Sequence, residues 1–302
     1  MKTNDDKPGT GAELSRIAHD MIDRARDGTL SSVPREYLTK EILCEPLNMG
    51  LHYGHSGPDD FMEFDMLIQI AALHGNLGQI PQAILGECAC VRIARVSSED
   101  NDPETILHIA AKTGQLNRFS KGVLTVENLF EMFDTRGRSV TMVAAEAGSF
   151  EQIPPALVTR TNLTAQNRNG ETVYHYLARG GQISKLPSHL RQWEFFQLND
   201  INGSTPLHWA WAPNGNPNGI PDDFDEAYNE DGSRSSACAR LLQIQDRSGK
   251  SVLDYAIERP DKLNQISSED LVLCGQFKLK NGKYLREVLK ELKMWPEDEA
   301  AD

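Results

Sequence analysis

The feature that most constrains this chain is a pattern that returns three times between Asp100 and Gly181. Each copy has a polar turn, a Thr or Ser, an apolar segment with paired small residues, and a Gly. The closing glycines are Gly114, Gly148 and Gly181, which lie 34 and 33 residues apart. A fixed period of this size is typical of an array of similar structural units, each packed on its neighbours. The pattern therefore predicts a repeat architecture.

The residues of one copy predict a helix-turn-helix unit. Thr105, Thr172 and Thr205 stand where a hydroxyl can cap the start of a helix. The paired small residues, such as Ala110-Ala111, allow neighbouring helices to approach closely, and the closing Gly permits a left-handed helix end. A second, more apolar helix follows. Turns then lead into the next copy, each with a Gly where a positive φ is expected: Gly137, Gly170, Gly203 and Gly249.

These residues resemble the ankyrin repeat, whose core motif is Thr-Pro-Leu-His-x-Ala. The segment from Thr205 to Ala210 matches that motif in full, and Thr105 to Ala110 matches it except for the Pro. Weaker copies begin at Thr172 and Ser251. The resemblance implies an all-α solenoid of helix-turn-helix repeats with short projecting β-turns. About eight units are expected, including divergent N-terminal and C-terminal caps.

The remaining chain is assigned around this array. Residues 1–11 are expected to be a disordered leader, 12–296 a single repeat domain, and 297–302 an acidic tail. Two insertions interrupt the period, at about 48–63 and 213–232. The second is rich in Pro, Gly, Asn and Asp and has no apolar periodicity. We expect it to be a long loop, so that removal of residues 214–231 would leave the fold intact.

Composition excludes several classes of function. The formal net charge of −13 argues against a nucleic-acid-binding protein, and no apolar run approaches the length of a membrane helix. The first ten residues have no apolar core, so we expect no secretory signal and a cytoplasmic protein. The five cysteines are scattered and odd in number. They predict buried, reduced thiols, not a disulfide framework.

The sequence contains little catalytic chemistry. It has no Gly-rich phosphate loop and no metalloprotease or serine-hydrolase motif, so we expect no enzyme activity, no cofactor and no metal. His108, His175 and His208 recur in register, and the resemblance implies that they hold adjacent turns together. The alternative is a metal-binding protein or small enzyme with its site in the 48–63 insertion. There His52 and His55 precede Asp59, Asp60 and Glu63, a composition that a flexible polar loop shares.

The expected function is protein recognition by a rigid concave surface of turn tips and first helices. Ankyrin repeats read their partners with residues that flank the turn Gly and precede the helix-ending Gly. Carried onto this chain, those positions predict a partner-binding set of Arg136, Arg138, Glu146, Arg168, Asn169, Glu171, Arg179, Ile201, Ser204, Arg247 and Lys250. The turn tips are mainly basic within an acidic protein, which favours a protein partner with an acidic patch. The sequence does not indicate an oligomeric state.

Overall fold

The computed structural model describes residues 20–34, 37–44, 67–90, 92–93, 104–220, 227–228, 234–235 and 237–295. The chain divides into two compact units. The first contains residues 1–140 and 152–154, and the second contains residues 141–151 and 155–302. The division passes through the start of one helix, and each unit is described by itself.

The described residues are mainly helical. The helices of the first unit are α1 (20–27), α2 (Lys40–Cys44), α3 (Leu67–Leu73), α4 (Gln82–Cys88) and α5 (Ile106–Lys112). Helix α6 (Val140–Ala147) spans the division. The second unit continues with α7 (Arg160–Thr164), α8 (Val173–Arg179), α9 (Pro206–Trp211), α10 (Ala237–Leu242), α11 (Val252–Ile257), α12 (Ser268–Leu273) and α13 (Leu285–Glu291). Short 3-10 segments link many of them, and a π-type segment covers Glu127–Glu131.

Extended structure is confined to short antiparallel pairs in the part of the chain described. Strand β1 (Arg92–Ile93) pairs with β2 (Glu104–Thr105), with Arg92 opposite Thr105. Strand β3 (Ala227–Tyr228) pairs with β4 (Arg234–Ser235), with Ala227 opposite Ser235. This confirms the expectation of an α-helical protein with little strand.

The glycines and small residues take the conformations that the period predicts. Every helix-ending and turn glycine named above has a positive φ, from +67° at Gly181 to +87° at Gly148. The paired small residues are fully buried, as at Ala110 and Ala111 in the first unit and Ala144 and Ala145 in the second. The core of each unit is therefore made by first helices that are narrow where they meet their neighbours.

A disulfide joins α2 to α4 through Cys44 and Cys88, whose Cα atoms are 6.2 Å apart. The expectation of reduced thiols is therefore wrong for these two residues. It failed because sequence spacing does not show that two thiols 44 positions apart face each other across neighbouring helices. The other cysteines form no disulfide, and they are exposed at Cys90, partly buried at Cys238 and buried at Cys274.

The first part of the long insertion packs against other elements of the second unit, which argues against the expectation that residues 214–231 can be removed without effect on the fold. Its 3-10 segment Pro217–Gly219 contacts α8 and α9. The Asn216 backbone N–H donates to the Arg179 carbonyl at 3.0 Å, and the Arg259 guanidinium donates to the carbonyls of Ala212 and Gly215, each at 3.0 Å. Residues 221–226 and 229–233 lie outside the described residues, as does the whole 48–63 insertion.

Candidate functional site

The recurring histidines tie a helix start to a following turn. At His175, Nδ1 accepts from the Thr172 backbone N–H at 3.1 Å, and Nε2 lies 3.1 Å from the Ser204 carbonyl. A neutral ring with its proton on Nε2 satisfies both contacts. His108 and His208 repeat the arrangement, with Nε2 next to the carbonyls of Arg138 and Lys250. The structural role predicted for these histidines is confirmed.

Burial controls the ionisation of these histidines. Desolvation lowers the pKa of all three, and that of His175 falls to about 4. The neutral form is the one that accepts at Nδ1, so burial and hydrogen bonding favour the same state. These rings are therefore held neutral at pH 7 as structural links.

Asp254 takes the histidine's place at the start of α11. Its carboxylate accepts from the Ser251 backbone N–H at 2.8 Å and from the Ser251 hydroxyl at 2.6 Å. Its other oxygen accepts from the Lys280 backbone N–H at 2.8 Å. A histidine donates to a carbonyl of the next turn, whereas Asp254 accepts from an amide of the next turn. The helix start is therefore still bonded to the next turn, but the side chain is now the acceptor and the turn is the donor.

Three turns in the second unit are held in one conformation by a polar side chain at their first position. Asp200 Oδ1 accepts from the backbone N–H groups of Asn202 and Ser204, at 2.8 and 2.9 Å. Asn167 and Asp246 make the same pair of contacts in the turns 167–171 and 246–250. Such contacts replace water as the partner of the turn amides and fix the turn before any ligand binds.

The three turns are also bonded to one another. The Ile201 N–H donates to the Asn169 carbonyl at 2.8 Å, and the Arg247 N–H donates to the Asn202 carbonyl at 2.9 Å. The Arg247 side chain packs over Gly203, where a Cβ would stand 3.1 Å from Arg247 Cγ. We call the turns 167–171, 200–204 and 246–250 the turn row. The turn row is one continuous surface feature of the second unit.

Aromatic side chains connect the turn row to the helices behind it. Trp209 Nε1 donates to Asp200 Oδ2 at 3.1 Å, and the Tyr255 hydroxyl donates to Asp246 Oδ2 at 2.9 Å. Burial raises the pKa of Asp246, but the hydrogen bonds it accepts outweigh burial, so that its pKa lies below the usual value. Each turn is therefore anchored both to its own amides and to its own helix.

The turn 167–171 is also anchored to its helix, but through different residues. An Asn stands where the other turns have Asp, and its Nδ2 donates to Glu171 Oε2 at 2.7 Å. The Tyr176 hydroxyl donates to that same carboxylate oxygen at 2.6 Å. Glu171 thus supplies the charge that Asn167 lacks.

The structure places the predicted partner-binding residues in three kinds of environment. Exposed side chains at turn tips belong to Arg136 in the first unit and to Arg168, Ile201 and Arg247 in the second. Asn169 and Ser204 are half-buried in the turn row and contribute backbone carbonyls to it. Glu146 and Arg179 lie at helix ends and form an ion pair of 3.3 Å.

Several predicted contact residues already bind other side chains of the chain. Arg138 lies 2.8 Å from Asp134 and 3.6 Å from Glu104, with only 15 % of its side chain exposed. Lys250 Nζ bonds to Glu258 at 2.5 Å and lies over the Tyr255 ring. Glu171 is held as described above. These residues support the shape of the turns as well as their surface.

Sequence reasoning missed the aromatic row behind the turns. Trp209 is half-buried, with its ring 5.1 Å from that of Tyr176 and the Arg179 guanidinium 5.7 Å away. The detectable signal is position, because Tyr176, Trp209 and Tyr255 each follow the capping Thr or Ser by four residues. By contrast Trp211, Phe195 and Phe196 are buried in the core.

The alternative metal cluster of the 48–63 insertion lies outside the described residues. Among the residues that are described, no group of three or more His, Cys, Asp or Glu side chains could hold a metal ion. No described helix has the length and apolar character needed to cross a membrane. No protein-family model matches the chain, and no curated protein matches it.

Proposed function

We propose that this chain is an ankyrin-type repeat protein. Three observations support the proposal: the glycines with positive φ at the period, the capped helix starts, and the histidines that link the starts of α5, α8 and α9 to a later turn. These features agree with the Thr-Pro-Leu-His-x-Ala resemblance at the level of single hydrogen bonds. The solenoid arrangement and its eight units are part of this proposal.

The function that we propose is non-catalytic recognition of another protein, in the cytoplasm, through the turn tips and first helices. The turn row carries this proposal, because its conformation is set by internal hydrogen bonds while Arg168, Ile201 and Arg247 remain exposed. A surface fixed before binding loses little conformational entropy on association. The exposed tip cations favour a partner with an acidic surface and would act mainly on association rate and salt dependence.

The test is site-specific photo-cross-linking with the full chain in cell extract. A photoreactive residue at Ile201 should give discrete cross-linked proteins, and the same residue at Asn264 serves as control. Asn264 is exposed and lies in the 3-10 segment Pro260–Gln265, which follows the opposite end of α11 from its turn. The triple change Arg136→Glu, Arg168→Glu and Arg247→Glu should weaken capture of those same proteins. Equal capture from Asn264, or capture that the triple change leaves intact, would contradict recognition by the turn tips.

A further inference from the structure

Ile201 is an unusual residue for a turn tip. Half of its surface is exposed, at 50 %, although the other first tip positions of the turn row are arginines. An isolated exposed isoleucine is common on protein surfaces. This one stands on a turn whose shape is fixed, in line with two cations, and that placement points to a ligand.

Arg168, Ile201 and Arg247 occupy the same position in three consecutive turns. Each lies two residues after Gln166, Asn199 or Gln245, and directly after the anchoring Asn or Asp of its turn. Each also lies two residues before the turn Gly. The bonds from Ile201 N–H to Asn169 and from Arg247 N–H to Asn202 keep the three turns in register. The row therefore presents a cation, an aliphatic side chain and a second cation in a fixed order.

We propose that this row binds an extended acidic segment of a partner protein, with one apolar residue between two acidic residues. The proposal rests on the proposed function and names the partner's chemistry. Packed helices lie about 8–10 Å apart, and an extended chain advances about 3.3 Å per residue. One turn therefore corresponds to about three residues, which gives the pattern acid-x-x-apolar-x-x-acid.

Charge complementarity selects this occupant. The protein as a whole carries a net charge of −13, so an acidic segment is repelled by most of the molecule and attracted where cations are exposed. A basic segment would have many alternative sites on the same surface. An apolar residue next to Ile201 adds contact area that a purely acidic segment lacks.

The experiment is selection of peptides from a displayed library of random eleven-residue sequences on the full chain. Selected peptides are then synthesised with a fluorescent label, and their affinity is measured by anisotropy at low and high salt. We expect enrichment of the acid-x-x-apolar-x-x-acid pattern and weaker binding at high salt. Replacing the apolar residue by Ser, or both acids by Lys, should each reduce affinity at least tenfold.

Matched variants of the protein complete the test. Ile201→Ser should reduce affinity at least fivefold with the salt dependence retained, whereas Arg168→Glu with Arg247→Glu should remove the salt dependence as well. Lys121→Glu changes an exposed lysine of the first unit and should leave binding unchanged. Selected peptides that bind in an Ile201-dependent way but lack acidic residues would overturn this inference while leaving protein recognition by the turn row in place. Peptides whose binding no turn-row variant alters, or a selection that enriches none, would also overturn this inference, whereas the proposed function stands or falls on the cross-linking at Ile201.

Discussion

Each helix-ending glycine has a positive φ, a backbone conformation that other residues rarely adopt. Gly148 has a φ of +87°, a region that L side chains rarely adopt, although a Cβ there would meet ordinary contacts. Gly148→Ala should therefore lower the free energy of unfolding by about 1 kcal/mol through backbone strain alone. Denaturant unfolding measures this change.

Gly86→Ala is the matched control for that substitution. Gly86 lies inside α4, and its added methyl would rest 3.5 Å from Val123. A Gly inside a helix costs stability relative to Ala, so this variant should be more stable by about 0.5–1 kcal/mol. If both substitutions change stability in the same direction, the left-handed conformation of Gly148 is not the cause.

His175 predicts a pH dependence of stability. Its pKa is about 4 in the folded protein and near 6.5 when unfolded, so between these values the unfolded state binds the extra proton. The stability from the neutral ring is complete above pH 6.5 and is lost as pH falls towards 4. The loss is on the order of 3 kcal/mol for a pKa difference of this size.

All four tryptophans lie in the second unit, so tryptophan fluorescence follows the unfolding of that unit. His175→Gln should flatten the decline in stability between pH 6.5 and 4, and His189→Gln, at an exposed position of the second unit, should not. An unchanged decline in the His175→Gln variant would show that other groups dominate acid unfolding.

At the scale of elements, the first helices and their turns are readable from the sequence, because each depends on residues within about ten positions. Thr172, His175 and the turn glycines specify local bonds, and these form as predicted. Partners distant in sequence are not readable in this way. Neither the pairing of Cys44 with Cys88 nor the contact of Arg259 with Ala212 leaves a local signal.

The same distinction between local features and distant contacts applies to the residues of the candidate site. The position of Ile201 and Arg247 on turn tips was implied by the ankyrin resemblance, because each lies two residues before a turn Gly. The use of Arg138 in an internal ion pair depends on Glu104, thirty-four residues earlier, and only the folded structure brings them together. The anchoring of Trp209 on Asp200 likewise needed the geometry of a helix next to its turn.

The packed start of the second insertion gives an element-scale prediction. Replacing Asn214–Gly219 with an Ala-Ser segment of equal length should destabilise the second unit by about 2–4 kcal/mol. A Cβ at Gly215 would clash with the carbonyls of Trp209 and Ala210, and Arg259 would be displaced from its acceptors. Changing only the exposed Asn214 and Asn218 to Ser is the control and should leave stability unchanged. If the two replacements have equal effects, the contacts of Arg259 and Gly215 do not stabilise the unit.

The disulfide gives a second prediction at this scale. Closing a loop of 44 residues should stabilise the first unit by about 4 kcal/mol, through restriction of the unfolded chain. Unfolding followed by circular dichroism, with and without reductant, measures this difference. Cys90→Ser leaves the linked pair intact and should show the same response to reductant. A Cys44→Ala variant as stable as the oxidised protein would contradict the linkage.

At the scale of the whole molecule, the same internal bonds recur along the described chain, while the exposed residue at the turn tip changes. Histidine links, anchored turns and left-handed glycines recur, whereas the equivalent tip position holds Arg at 168 and 247 but Ile at 201. A constant framework with variable tips suits recognition, because the framework holds new side chains in the same place. The measured circular dichroism should accordingly be dominated by helix.

The central claim is that the turn row is the partner-binding surface. The most direct test is amide hydrogen exchange of the full chain, measured by mass spectrometry with and without the partner protein. That partner is the protein identified by cross-linking from the photoreactive residue at Ile201. We expect the partner to slow exchange in peptides covering 167–171, 200–204 and 246–250, with no change in 260–265. Slower exchange in 260–265 with an unchanged turn row would contradict it.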